Sequence, residues 1–111
     1  MEIITIQVFI LHNGKKPFVE WFDKLDDSMQ GTIDARLNRV RLGNFGDCHR
    51  IKNGESIWEL RIDKGPGYRI YFGKVGSVIV IVLVGGDKKT QRRDIAKAKQ
   101  YWLEYKEEHN D

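Results

Sequence analysis

The chain has 111 residues, 41% hydrophobic and 32% charged, with a formal net charge of +3. That length supports one domain with one core and leaves no room for a second. A single cysteine, Cys48, excludes an internal disulfide framework; no apolar run nears membrane-spanning length, and the opening MEIITIQVFILH lacks the basic flank and small-residue cleavage site of a secretory signal, so a soluble cytoplasmic protein is expected.

Ile3 to Leu11 is rich in β-branched residues and predicts an edge or second strand, closed by a turn at His12-Asn13-Gly14. Pro17 suits the first turn of a helix. Phe18, Trp21, Phe22 and Leu25 then recur at i, i+3, i+4 and i+7, the apolar stripe of one short helix. Asp26-Asp27-Ser28 offers capping side chains for a second helix, expected to reach about Leu42 with Met29, Ile33, Leu37 and Val40 inward and Gly43 as its stop. Arg36, Arg39 and Arg41 fall largely away from that stripe. They read as a solvated face, or as an outward basic row that could meet RNA or an acidic partner. The two helices predict an antiparallel hairpin against one face of a sheet.

Asn44 to Asp47 reads as a loop, and His49, Arg50, Ile51 and Lys52 as a short strand leading to a hairpin turn at Asn53-Gly54. The next two strands alternate. Trp58, Leu60 and Ile62 share one side of the first, and Tyr68, Ile70 and Phe72 one side of the second, with Glu59, Arg61, Arg69 and Tyr71 on the opposite faces. Facing strands must agree about which side is the core, so Leu60 opposite Ile70 places Arg61 opposite Arg69. The Lys64-Gly65-Pro66-Gly67 connection must then contain an odd number of loop residues or a bulge. Like charges directly opposite destabilise a sheet by about 0.2–1 kcal/mol. Either neighbouring acids such as Glu59 neutralise the pair, or two arginines await an anion.

Val78 to Val84 is an unbroken Val, Ile and Leu run, the expected central strand, buried on both faces. After Gly85-Gly86-Asp87-Lys88-Lys89 comes a helix from about Gln91 to Lys106, with Thr90 as N-cap and Ile95, Ala98, Trp102 and Tyr105 as its buried stripe. Lys88, Lys89, Arg92 and Arg93 gather at its positive end, which costs stability and also makes an anion-binding arrangement. His109 falls in a tail expected to fray.

The charge is unevenly distributed. Residues 1–49 carry six Lys/Arg against seven Asp/Glu, residues 50–106 thirteen against six, and the last five residues three acids. The basic excess therefore belongs to the sheet and the helix after it, the footprint of a nucleic-acid surface. Phosphate-binding loops, dinucleotide fingerprints, Cys/His metal spacings and nucleophile elbows are absent from the sequence, and no cofactor or metal is expected. What remains is phosphate-directed chemistry without a metal; composition alone favours simple binding of RNA, and cutting RNA through its own 2′-OH is the catalytic form of it. Arg61, Arg69, Lys52, Lys88 and Lys89 would stabilise the phosphate, Glu59 or His49 would take the proton, and Tyr71 would stack on a base or donate a proton. Simple RNA binding by the same face is the alternative.

The SIWELR stretch, the later GYRIYF, the hydrophobic strand, the GGDKKTQ turn and the AKxYW helix together resemble the RelE/ParE toxin superfamily, in particular its HigB-like, phage Gp49-like branch. The resemblance spans nearly the whole chain. It implies an α+β fold of order β-α-α-β-β-β-β-α, with two N-terminal helices and a C-terminal helix on a mainly antiparallel sheet. The helices are expected on one face, leaving the other face concave and basic. It also implies a toxin of a type II toxin–antitoxin system that cuts mRNA on the ribosome and pairs with a small helix-turn-helix antitoxin, as a toxin–antitoxin hetero-oligomer without a membrane association. By position, Arg61, Arg69 and Lys88-Lys89 fall at the family's recurrent basic sites, and Lys52 is similar to its strand-borne lysine. The Tyr or His that relatives often carry after the last strand is replaced here by Thr90 and Gln91. ParE relatives share the fold and inhibit DNA gyrase instead, so the fold leaves both activities open.

Overall fold

Five strands and three helices account for the apolar patterns of the chain. The computed structural model describes residues 3–53 and 56–109. In order they form β1 (Thr5–Val8), α1 (Pro17–Asp23), α2 (Asp27–Arg41), β2 (Cys48–Arg50), β3 (Ile57–Ile62), β4 (Tyr68–Val75), β5 (Ile79–Asp87), a 3-10 turn (Lys88–Thr90) and α3 (Gln91–His109). The sheet runs β1-β5-β4-β3-β2, with β1 parallel to β5 and every other pair antiparallel.

β3 and β4 pair with their apolar faces matched. Leu60 pairs with Ile70 and Arg61 with Arg69, and the chain between Ile62 and Tyr68 is a loop of five residues, 63–67, an odd number. A bulge occurs one strand further on. Tyr71 faces Val84 and Phe72 faces Val82, so β5 holds one extra residue, Leu83, at that point. The apolar strand is buried on both faces as expected, but it is not the middle one. β4 takes that place, because β1 adds to the outer edge of β5 and only β4, β3 and β2 follow on the other side.

The sheet is covered on both faces. One core cluster joins Phe18 of α1 and Met29, Ile33, Leu37 and Val40 of α2 to Leu60, Ile62, Ile70, Phe72, Val80 and Val82. A second joins Ala98 and Trp102 of α3 to Ile57, Tyr71, Ile81, Leu83 and Val84. The expectation of three helices on one face and an open face opposite is therefore corrected. The face that carries Glu59 and Tyr71 also carries Ile57, Gly73, Ile81 and Leu83, and this apolar surface is what α3 covers.

Two glycines let the helices approach closely. A Cβ on Gly85 would lie 2.2 Å from the Trp21 ring, and one on Gly73 would lie 2.5 Å from the Trp102 ring. Each indole thus rests directly on strand backbone, one on each side of the sheet.

Local signals set most boundaries. Asp26 caps α2, its Oδ1 accepting from the Met29 amide at 2.8 Å, and Gly43 follows the helix with φ 89°. β1 is shorter than the Ile3–Leu11 run. β2 ends at Arg50, so Ile51 and Lys52 lie beyond the strand, and of the Asn53-Gly54 turn only Asn53, at φ 59°, is among the described residues. α3 continues to His109, whose ring stacks on Tyr105 with centroids 4.0 Å apart, so this residue is helical rather than frayed.

Gly73→Ala should cost about 1–3 kcal/mol by forcing Trp102 off the sheet. Gly31→Ala is the matched control, because Gly31 lies inside α2 with no atom near its Cβ position, and it should stabilise by about 0.5–1 kcal/mol. Urea unfolding of the two variants checks both signs.

Candidate functional site

Two rows of residues cross the face covered by α3. Asp47, Arg61, Arg69 and Gly86 make the first, tied at its outer end by the Arg61 amide donating to the Asp47 carbonyl at 2.9 Å. His49, Glu59, Tyr71 and Val84 make the second.

Glu59 links the rows to α3. Its side chain is 1% exposed; Oε1 accepts from Arg61 Nε at 2.7 Å and Oε2 accepts from Gln91 Nε2 at 2.7 Å. Burial pushes the carboxyl up, but the hydrogen bonds, first from Arg61 and then from Gln91, outweigh it, and the group sits below the usual carboxylate range. A carboxylate held in this way is a poor proton acceptor. Tyr71 is fully buried, and its hydroxyl has no hydrogen bond of normal geometry among the described residues. Burial, followed by the Glu59 charge, raises the phenol far above its ordinary value, so it stays neutral and is a weak acid.

The two arginines differ. Arg61 is paired with Glu59 and its side chain is 38% exposed. Arg69 is 6% exposed, and its one hydrogen bond among the described residues is a long one, 3.5 Å from Nη1 to the Tyr68 carbonyl. Among the described residues its Nε has no partner and no carboxylate forms an ion pair with it. A buried guanidinium without a counter-ion is costly, and a bound anion beside Arg61 would relieve that cost.

The start of α3 is already occupied. The Asp87 carboxylate accepts from the Lys89 and Thr90 amides at 2.9 and 3.1 Å, and Thr90 Oγ1 returns to the Asp87 amide at 3.2 Å. Asp87 therefore caps the 3-10 turn that leads into α3, with Thr90 as the other half of the capping box, and the box takes up the Lys89 and Thr90 amides that an external anion would need. Thr90 Oγ1 also donates to buried Asp94, which rests on Gly86, where a Cβ would lie 1.8 Å from Asp94 Oδ2. Lys88, Lys89, Arg92 and Arg93 remain exposed cations. The Lys88 amide bonds the Gly67 carbonyl at 2.9 Å, which brings this residue to the β3–β4 turn beside the arginine row.

His49 stands next to Glu59 on the outer strand. Its side chain is 51% exposed and its Nε2 lies 2.7 Å from Asp47 Oδ1. A carboxylate-oriented imidazole open to solvent has the arrangement of a general base. Lys52 is exposed beyond the end of β2, away from the two rows, so it is not strand-borne. Arg39 is exposed as expected, whereas Arg36 is buried. Its guanidinium donates to the carbonyls of Phe45, Arg61 and Asp47, so the assignment of Arg36 to an outward RNA-binding row is corrected. Burial, and then Arg39, hold its pKa below the ordinary value.

Sequence reasoning missed Asp47, Gln91, Asp87 and Asp94. Asp47 could have been found, because it lies two residues before His49 and so on the same face. Gln91 could not, since nothing local shows that α3 crosses to the Glu59 side.

Residues 20–102 match the family of phage-derived proteins described as Gp49-like. An uncharacterized protein of Haemophilus influenzae is 47% identical over 83 residues, which is 74% of this chain and 82% of that one. Among solved structures, a free-state double variant of the E. coli toxin RelE aligns with a TM-score of 0.64 at 12% identity, over 89% of this chain and 95% of its own. The intact E. coli RelBE toxin–antitoxin complex contributes a chain with TM-score 0.56 at 13% identity, over 77% of this chain and 95% of its own. At such identities the likeness is one of fold.

Glu59→Gln should destabilise the protein by about 1–3 kcal/mol at pH 7, through loss of charged hydrogen bonds in a buried place. The Glu59 carboxyl lies lower in the folded chain than its unfolded value of about 4.3. Its contribution is therefore present above that value and lost as pH falls through the folded one. Urea unfolding at pH 7 and pH 3 should show a larger gap between variant and parent at the first than at the second.

Proposed function

We propose, because the chain belongs to the phage-derived Gp49-like family and folds as RelE does, that it is the toxin of a type II toxin–antitoxin pair, an endoribonuclease that cuts mRNA on the ribosome. The observation that carries this reading is the Arg61–Arg69 pair, one arginine balanced by Glu59 and the other buried without a carboxylate. A sheet gains nothing from two facing cations unless a phosphate joins them.

In this reading the scissile phosphate sits against Arg61 and Arg69. The RNA 2′-OH attacks it, the proton passes to the imidazole of His49 held by Asp47, and the P–O5′ bond breaks to leave a 2′,3′-cyclic phosphate and a 5′-hydroxyl. The two guanidinium groups stabilise the charge that builds on the phosphoryl oxygens, and Lys88 and Lys89 add to the field. The leaving oxygen takes its proton from water, since Tyr71 is fully buried and out of its reach. Exposed Arg39, Arg92, Arg93 and Lys52 supply contacts to ribosomal RNA. A cognate helix-turn-helix antitoxin, by analogy with the E. coli RelBE complex, covers the basic surface in a hetero-oligomer.

The test is a purified translation extract with a defined mRNA, read by primer extension. Cleavage should appear only on translated message and should fall by about 10²–10³-fold in Arg61→Ala and in Arg69→Ala. Intact message with the parent protein would overturn the reading, and blocked gyrase supercoiling in the same preparation would replace it with a ParE-like activity.

A further inference from the structure

Arg36 of α2 has an unusual set of partners for a buried cation. It is 8% exposed, and its hydrogen bonds all go to backbone carbonyls: Nη1 to Phe45 at 3.0 Å, Nη2 to Arg61 at 2.9 Å and to Asp47 at 3.4 Å. No carboxylate among the described residues pairs with it. Burying a charge to bind carbonyls alone is expensive, and a neutral side chain would fill the space at lower cost. The planar fork of a guanidinium is the group whose fixed donors reach three separate carbonyls at once. The chain accommodates this fork closely. A Cβ at Gly46, which has φ 63°, would lie 3.1 Å from Arg36 Nη1.

The carbonyls belong to the two halves of the site. Asp47 carries the carboxylate that orients His49, and Arg61 is one of the two facing arginines. Their backbones also bond each other through the Arg61 amide. We propose that Arg36 is a positioning residue that, from the opposite face of the sheet, fixes the Asp47–His49 pair and Arg61 at one separation. The inference rests on the ribonuclease reading for its functional consequence and on the hydrogen bonds alone for its structural one. A site that must align a base and a phosphate-binding group loses about 10²-fold in rate for a shift near 1 Å.

The experiment uses the full chain as Arg36→Met, Arg36→Lys and parent, with single-turnover cleavage on programmed ribosomes and site-resolved amide hydrogen exchange. Arg36→Met should lower the rate of the cleavage step by about 10–10²-fold while the half-saturating concentration moves less than about threefold. Arg36→Lys should recover part of the loss. The Arg61 amide should exchange faster in Arg36→Met, with β4 and β5 amides unchanged. Parent-like cleavage and parent-like protection at Arg61 would overturn the proposal, and so would a loss of protection spread evenly through β4 and β5. If the parent cleaves no RNA, the ribonuclease reading fails, and exchange at Arg61 still decides whether Arg36 holds this backbone.

Discussion

One buried carboxylate connects the sheet, the last helix and the arginine row. Glu59 bonds Arg61 within β3 and Gln91 at the start of α3, so the same two oxygens offset one of two facing cations and tie α3 to the sheet. Each bond to a charged group contributes about 1.5–3 kcal/mol. Together they make a like-charge pair tolerable at the Arg61–Arg69 position, where sheet packing alone would disfavour it. They also leave the pair asymmetric. Arg61 is balanced and partly exposed, whereas Arg69 is buried with its Nε unpaired among the described residues.

The second consequence is that α3 is core and site wall at once. Its middle, with Ala98 and Trp102, packs on the apolar end of the sheet face, and its first turn brings Gln91 and Asp94 over the polar end. The site is therefore not an open concave surface: Glu59, Arg69 and Tyr71 are buried, and Arg61, Asp47 and His49 are the members of the two rows that reach solvent. Asp87 and Asp94 occupy the backbone and small-residue positions at the helix start, so the proposed anion site is made of side chains: Arg61, Arg69 and the exposed lysines.

The strand register was legible because alternation is a period of two and both strands carried clear apolar faces; Leu60 opposite Ile70 forced Arg61 opposite Arg69. The side of the sheet taken by α3 was harder, because a helical stripe reveals that a helix is buried and not what buries it. The signal lay in the strands. Ile57, Gly73, Ile81 and Leu83 share the face of Glu59, and so much apolar surface needs a cover. Arg36 was misplaced: reading it away from the stripe overlooked that it follows Ile33 by three residues and precedes Val40 by four, and its partners are backbone carbonyls. Asp87 as a cap was legible, since Asp is a preferred N-cap and its bonds reach only two and three residues ahead, whereas Gln91 as a Glu59 partner depends on three-dimensional placement. The family resemblance agrees with the Gp49-like match and the RelE fold, and neither speaks to individual side chains.

In the proposed function Arg61 and Arg69 together receive one phosphate. The most direct measurement is the side-chain Nε–H resonances of both arginines by NMR during titration with a short 2′-O-methyl RNA, which binds without being cut. The account predicts that both resonances shift together and saturate at the same RNA concentration, the Arg69 signal moving further because its Nε starts without a partner. RNA that binds while both signals stay fixed would contradict it.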